Sequence, residues 1–222
     1  LLCEVSNPER FGIADVKESK IVKIMEKPKN PPTNLAVTGI YFLTTKIFEI
    51  FSRLKPSWRN ELEITDALQM MLEENNVINF EMITDYWKDT GTPDDIIHAN
   101  GEVLKNMIPY FSGIKENGAE LSGNTMIGNN SNISNGSKIF GPCIIGENCI
   151  IGENCIIGPN VSIGNNSKLK NCNIQNSIVM ENCVIDSEMK IRNSILASNS
   201  SITINTDDEK VLLLGEGTKI SL

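Results

Sequence analysis

No stretch of 18 consecutive apolar residues occurs in the 222-residue chain, so nothing in it reads as a membrane-spanning helix. No signal peptide is visible either: the opening Leu1-Leu2-Cys3-Glu4-Val5 reaches charge at once. A basic surface is also missing. Lys and Arg total 20 against 28 Asp and Glu, a net charge of −8, which argues against sequence-independent nucleic-acid binding. That balance leaves room for a nucleotide substrate, since one phosphate site needs only local cations and backbone N–H groups. The six cysteines make no Cys-x-x-Cys pair, and no histidine lies near them to complete a zinc site. They read as small buried residues in a reducing, cytoplasmic protein. The first residue is not Met, so the chain reads as a fragment, a processed product or an incomplete record.

What the chain does have is a period of six. Ile127, Ile133, Ile139, Ile145, Ile151, Ile157, Ile163 and Leu169 form the aliphatic series. Two residues before each stands a small or slender side chain: Thr125, Ser131, Ser137, Cys143, Cys149, Cys155, Val161 and Ser167. Glycine follows at Gly128, Gly146, Gly152, Gly158 and Gly164. Neither a helix nor a flat sheet needs this period. A chain coiling through three short strands per turn does, with one aliphatic and one small residue pointing inward on each strand. Beyond Leu169 the spacing loosens to five or six, through Cys172/Ile174, Ser177/Val179, Cys183/Ile185, Met189/Ile191, Ser194/Leu196 and Ser200/Ile202. At about 18 residues per turn, four to five turns fit. The pattern resembles the hexapeptide repeat of left-handed parallel β-helices, and the handedness comes from that resemblance. Residues 205–222 are expected to cap the end coil.

The first half is of mixed character. Residues 21–25 alternate and read as a strand, and residues 36–43 read as a buried strand. Residues 45–54 and 61–74 carry apolar residues at helical spacing, and residues 77–83 alternate again. Thr92-Pro93-Asp94-Asp95 reads as a helix start, with Thr as cap, Pro in the first turn and acids at the positive end of the dipole. Strands alternating with helices imply a layered α/β unit over residues 1–110. A linker is expected at 111–120 and the β-helix with its cap at 121–222.

Chemistry is expected in the first half. The runs that stand out are Asn7-Pro8-Glu9-Arg10-Phe11-Gly12-Ile13-Ala14, Met25-Glu26-Lys27-Pro28 and Asn34-Leu35-Ala36-Val37-Thr38-Gly39-Ile40-Tyr41-Phe42. Arg59-Asn60-Glu61-Leu62-Glu63-Ile64-Thr65-Asp66 and Tyr86-Trp87-Lys88-Asp89-Thr90-Gly91-Thr92-Pro93 complete the set. In order and spacing they resemble the sugar-1-phosphate nucleotidylyltransferases, nearest to the glucose-1-phosphate thymidylyltransferases of the long form. The resemblance implies the C-terminal part of a Rossmann-like nucleotidyltransferase domain, followed by the β-helix.

It also implies an activity: a sugar 1-phosphate, glucose 1-phosphate by the nearest resemblance, joined to a nucleoside triphosphate such as dTTP, giving NDP-sugar and pyrophosphate with Mg2+. By the same resemblance Glu26 takes sugar hydroxyls, Lys27 and Arg59 are the catalytic cations on the phosphate, and Gly12, Val37 and Gly39 line the sugar. Asp89 would hold Mg2+. A carboxylate suits hydroxyl donors and an ammonium suits a phosphate as a point charge. A homotrimer through the β-helix is the implied assembly. Glu61, Glu63, Thr65 and Asp66 match the motif but read first as acids and caps at a helix start. Asn60 stands where the family has Gly. The family's Gly-rich nucleotide loop and first metal-binding Asp do not appear, so the sequence carries the sugar-phosphate half of a site.

Two other readings stay open. Many hexapeptide-repeat proteins are acyltransferases that use a coil-loop histidine as base, but the sole histidine here, His98, lies outside the repeat. A non-catalytic assembly or regulatory subunit would keep the same two-part frame.

Overall fold

The computed structural model describes residues 1–204, 209–210, 213–216 and 219–221. The chain divides into two compact units, Leu1–Trp87 and Lys88–Leu222.

The first unit is a layered α/β arrangement. Strands β1 (Leu2–Glu4), β2 (Gly12–Lys17), β3 (Lys20–Glu26) and β4 (Leu35–Val37) form a sheet in the order β1-β4-β2-β3, with every neighbouring pair antiparallel. Helices α1 (Lys46–Phe51) and α2 (Ile64–Glu73) follow. Leu68 of α2 packs with Leu2, Ala14, Ile21 and Ile24, so the helix covers one face of the sheet. On its other side Ala67 and Met71 meet Ile47 and Ile50 of α1. Fully burying each such side chain contributes about 1.5–3 kcal/mol.

The apolar run at 36–43 pairs less far than its composition suggests. Its ladder stops at Leu2–Val37, and the Leu1 carbonyl takes the Thr38 N–H and hydroxyl. Past it the Leu1 amino group donates to the Ile40 carbonyl at 3.2 Å, and Ile40 and Phe42 are 50% and 94% exposed. Residues 77–83 likewise make one isolated parallel bridge, Leu2 with Met82, in place of a strand.

The second unit is a left-handed parallel β-helix of about six turns with one helix against it. Its strands stack into three parallel sheets; one passes through Thr125–Ile127, Cys143–Ile145, Val161–Ile163 and Ser177–Val179 in exact sequence of coils. The aliphatic series stacks upon itself: Ile127 on Ile145 on Ile163, and Ile133 on Ile151 on Leu169. All are buried, as are Cys143, Cys149, Cys155, Cys172 and Cys183. The inward serines are satisfied across coils. Ser131 Oγ donates to the Gly146 carbonyl at 2.6 Å and accepts the Cys149 N–H at 2.9 Å.

Coils begin earlier than the period indicates. Tyr110–Phe111 pairs with Thr125–Ile127, and Ile114–Lys115 pairs with Asn132–Ile133, so the expected linker at 111–120 forms first-coil strands. Their side chains are exposed at the end of the stack, where no repeat pattern is required. At the other end Glu209–Lys210, Leu213–Leu214 and Lys219–Ser221 continue the three ladders. That segment adds strands in register, because its backbone finds the same parallel partners that every earlier coil found. Residues 205–208, which open the expected cap, lie outside the described residues.

The coil corners are turned by asparagine. Asn130, Asn148, Asn154, Asn160, Asn166, Asn171, Asn176, Asn182, Asn193 and Asn199 all have φ between 43° and 61°. Asn tolerates this left-handed conformation better than other residues with a Cβ. Stacked corners also bond each other, as Asn130 Nδ2 does to Asn148 Oδ1 at 3.2 Å.

Helix α3 (Pro93–Lys105) starts as its sequence reads: Thr92 Oγ1 accepts the Asp95 N–H at 3.2 Å. It packs on the prism, where Ser162 Oγ donates to Asn100 Oδ1 at 2.6 Å and Gly101 faces Asn160. Sequence alone grouped this helix with the first half; its contacts belong to the second unit.

Candidate active site

The hairpin of β2 and β3 sets Gly12 opposite Glu26. Lys27 follows with φ of 39°, so the chain turns away immediately after the carboxylate, and the Lys27 N–H donates to the Phe11 carbonyl at 3.0 Å. Thr65 comes from the first turn of α2 and lies on this corner. Its hydroxyl donates to Glu26 Oε2 at 2.8 Å. Its methyl occupies the space above Gly12: a Cβ there would fall 2.4 Å from Thr65 Cγ2 and 3.1 Å from Glu26 Oε2. The glycine is therefore needed for close approach of strand and helix.

Arg59 completes the cluster. Its Nη1 lies 3.6 Å from Glu26 Oε1 and 3.4 Å from Glu63 Oε1, and its Nη2 lies 2.8 Å from Glu61 Oε2. The loop before α2 places it. Ser57 Oγ accepts the Arg59 N–H at 3.1 Å and donates to Glu63 Oε1 at 2.9 Å. Asn60 takes φ of 61°, with its N–H on the Ser57 carbonyl. Asn adopts the conformation that a glycine would supply, so the departure from the family pattern leaves the turn intact. Glu63 sits at the N-cap of α2, but its carboxylate makes no capping bond; it and Glu61 serve Arg59.

Burial and nearby carboxylates shift two neighbours. Tyr41 is held above its ordinary pKa by burial and by Glu26. Asp66 is raised by burial and by Glu63. Lys27, by contrast, takes part in none of the ion pairs among the described residues.

Val37 lies on β4, where its neighbour Ala36 pairs with Ile13, the residue after Gly12. Val37, with Tyr41, lines an apolar cavity of about 450 Å³ that also includes Leu2, Ile24 and Phe80. Gly39 is exposed, and a Cβ on it would meet nothing within 4 Å, so no close approach within the protein requires a glycine there. Asp89 belongs to the second unit, in the segment leading to α3. Its Oδ2 would lie 3.0 Å from a Cβ on Gly91, so the glycine leaves room for the carboxylate. No group of three or more His, Cys, Asp or Glu side chains among the described residues could hold a metal. Asp89 offers a single carboxylate, and Mg2+ is commonly held by one or two carboxylates with phosphate oxygens and water. His98 is exposed on α3.

Comparison with known proteins bears on these residues directly. Residues 1–106 match the nucleotidyl transferase family, and residues 139–221 match the GMPPB C-terminal domain. A low-salt glycan biosynthesis nucleotidyltransferase of Haloferax volcanii is 44% identical over 123 residues, covering 55% of this chain and 34% of that protein. A glucose-1-phosphate thymidylyltransferase of Streptomyces antibioticus is 37% identical over 129 residues, covering 58% of this chain and 36% of its own. The bifunctional protein GlmU of Methanococcus aeolicus is 44% identical over 107 residues, covering 48% and 26%. The chain spans about a third of the length of the first two and about a quarter of the third.

Within the matched residues, Gly12, Glu26 and Arg59 are brought together. Thr65, which matches the motif but reads first as a helix-start residue, is the member whose contact the pattern does not convey. It looks like an ordinary residue near a helix start, and only the cross-chain hydrogen bond to Glu26, 39 positions away, reveals its place. Phe11 and Trp87 form a second long-range pair at the edge of the corner, edge-to-face with centroids 5.8 Å apart.

Proposed function

We propose that the chain is part of a sugar-1-phosphate nucleotidylyltransferase, and that the Gly12–Glu26–Arg59 corner receives the sugar phosphate. The observation that carries this is the pairing of a shielded carboxylate, Glu26, with a guanidinium 3.6 Å away and an unpaired ammonium on the next residue. Such a corner offers an acceptor for sugar hydroxyls beside two cations for phosphate oxygens.

In this reading an oxygen of the sugar 1-phosphate attacks the α-phosphorus of a nucleoside triphosphate. The new O–P bond forms as the bond to the β-phosphate oxygen breaks, and pyrophosphate leaves. Glu26 orients the sugar, and Lys27 with Arg59 holds the attacking phosphate in line while offsetting its charge. Proximity alone contributes up to roughly 7–11 kcal/mol. Mg2+, held by Asp89 together with the phosphates, would supply charge neutralisation on the triphosphate. Glucose 1-phosphate with dTTP is the substrate pair favoured by the thymidylyltransferase relative. A trimer through the β-helix and a cytoplasmic setting complete the proposal; no described helix is long and apolar enough to cross a membrane.

The test is pyrophosphate release by the protein encoded with this chain, across a panel of triphosphates and sugar 1-phosphates. Release with at least one pair, cut severely by Asp89→Asn without loss of fold, is expected. Release unchanged by Asp89→Asn would refute the metal role; no release with any pair would refute the activity.

A further inference from the structure

Arg59 is already occupied, and its three carboxylates are not equivalent. Glu26 and Glu63 are shielded, with side chains 15% and 11% exposed, and each is fixed by a hydroxyl, from Thr65 and Ser57. Both face Nη1. Glu61 faces Nη2, makes the shortest contact of the three at 2.8 Å, and is 56% exposed. No hydroxyl or backbone N–H among the described residues fixes its carboxylate. It is the partner that an incoming anion can replace at least cost.

We propose that Glu61 is a built-in anion competitor on Arg59, occupying the phosphate position until a sugar phosphate displaces it. The proposal rests on Arg59 being the phosphate ligand of the site described above. A neutral sugar gains nothing by moving Glu61, whereas a phosphate dianion replaces one carboxylate contact by a stronger one. Glu61 therefore biases the corner toward phosphorylated sugars and lowers affinity for them all. An exposed ion pair is a weak competitor, so the effect is modest, on the order of two- to fivefold in the dissociation constant.

The test is calorimetric titration of glucose 1-phosphate into the parent chain, Glu61→Gln and Glu49→Gln. Glu49 lies exposed on α1 and removes the same charge elsewhere. Binding tightened about two- to fivefold in Glu61→Gln alone supports the proposal. Equal or weaker binding in Glu61→Gln, or an equal gain in Glu49→Gln, overturns it while leaving the sugar-phosphate reading in place. A parent chain that binds no glucose 1-phosphate overturns both.

Discussion

Thr65 donates its hydroxyl to Glu26 at 2.8 Å while its methyl fills the space a side chain on Gly12 would need. One residue of α2 thus sets both the direction of the carboxylate and the identity of the strand residue beneath it.

Steric coupling of this kind predicts a rescue. Gly12→Ala places a methyl 2.4 Å from Thr65 Cγ2, a contact that cannot persist, and should cost about 1–3 kcal/mol. Adding Thr65→Ser removes that methyl and keeps the hydroxyl, so the double variant should recover most of the loss. Denaturant melts of the four proteins measure the coupling. Additive effects would mean that the two residues do not touch.

The hydroxyl is tested separately. Thr65→Val keeps the shape and removes the donor to a shielded carboxylate, a bond of about 1.5–3 kcal/mol. A fall in stability of that order is expected from the same melts, and a melt within error of the parent would show that Glu26 does not use the bond.

The prism makes a sharper contrast between neighbours. Ile151 is wholly buried on the coil axis, whereas Ile150 is 47% exposed on the outer face between Asn132 and Lys168. Ile151→Asp buries an unpaired charge and should destabilise by at least about 3 kcal/mol. Ile150→Asp should stay within about 0.5 kcal/mol of the parent. Thermal melts that rank the two variants the other way would overturn the inward register of the aliphatic series.

The thiols give a pH test. Burial pushes Cys143 up to about 12 from an ordinary value of 9.0. The folded thiol keeps its proton where the unfolded one loses it, so its contribution to stability is complete below pH 9 and is lost as pH rises from 9 toward 12. All six cysteines are buried. Native protein at pH 8 should resist a thiol-titrating reagent and react fully once denatured. Rapid native labelling would contradict the packed coil interior.

How much of this was legible beforehand depends on the range of the interaction. Ile127, Ile133 and their successors reveal the β-helix because each coil repeats one local environment, which leaves a period in the chain. The corner asparagines were equally regular, and the Asn-containing turns could have been read from their tolerance of positive φ. The ends were harder: Tyr110–Phe111 joins the stack through backbone pairing alone, which leaves no mark on side-chain choice. In the first unit Gly12, Glu26 and Arg59 were found through their motifs. Thr65 matched the motif too, but its bond to Glu26 was hidden, since that partner lies 39 residues away. The run at 36–43 is a strand only over Leu35–Val37, a limit set by pairing across the sheet that apolar composition does not record.

The account stands most directly on Glu26 as the sugar-binding carboxylate, and an equilibrium titration with glucose 1-phosphate tests it. The parent chain should bind saturably, and the isosteric Glu26→Gln variant, shown by circular dichroism to stay folded, should bind about ten- to a hundredfold more weakly, as loss of a charge-assisted bond requires. Equal dissociation constants for the two proteins would contradict it.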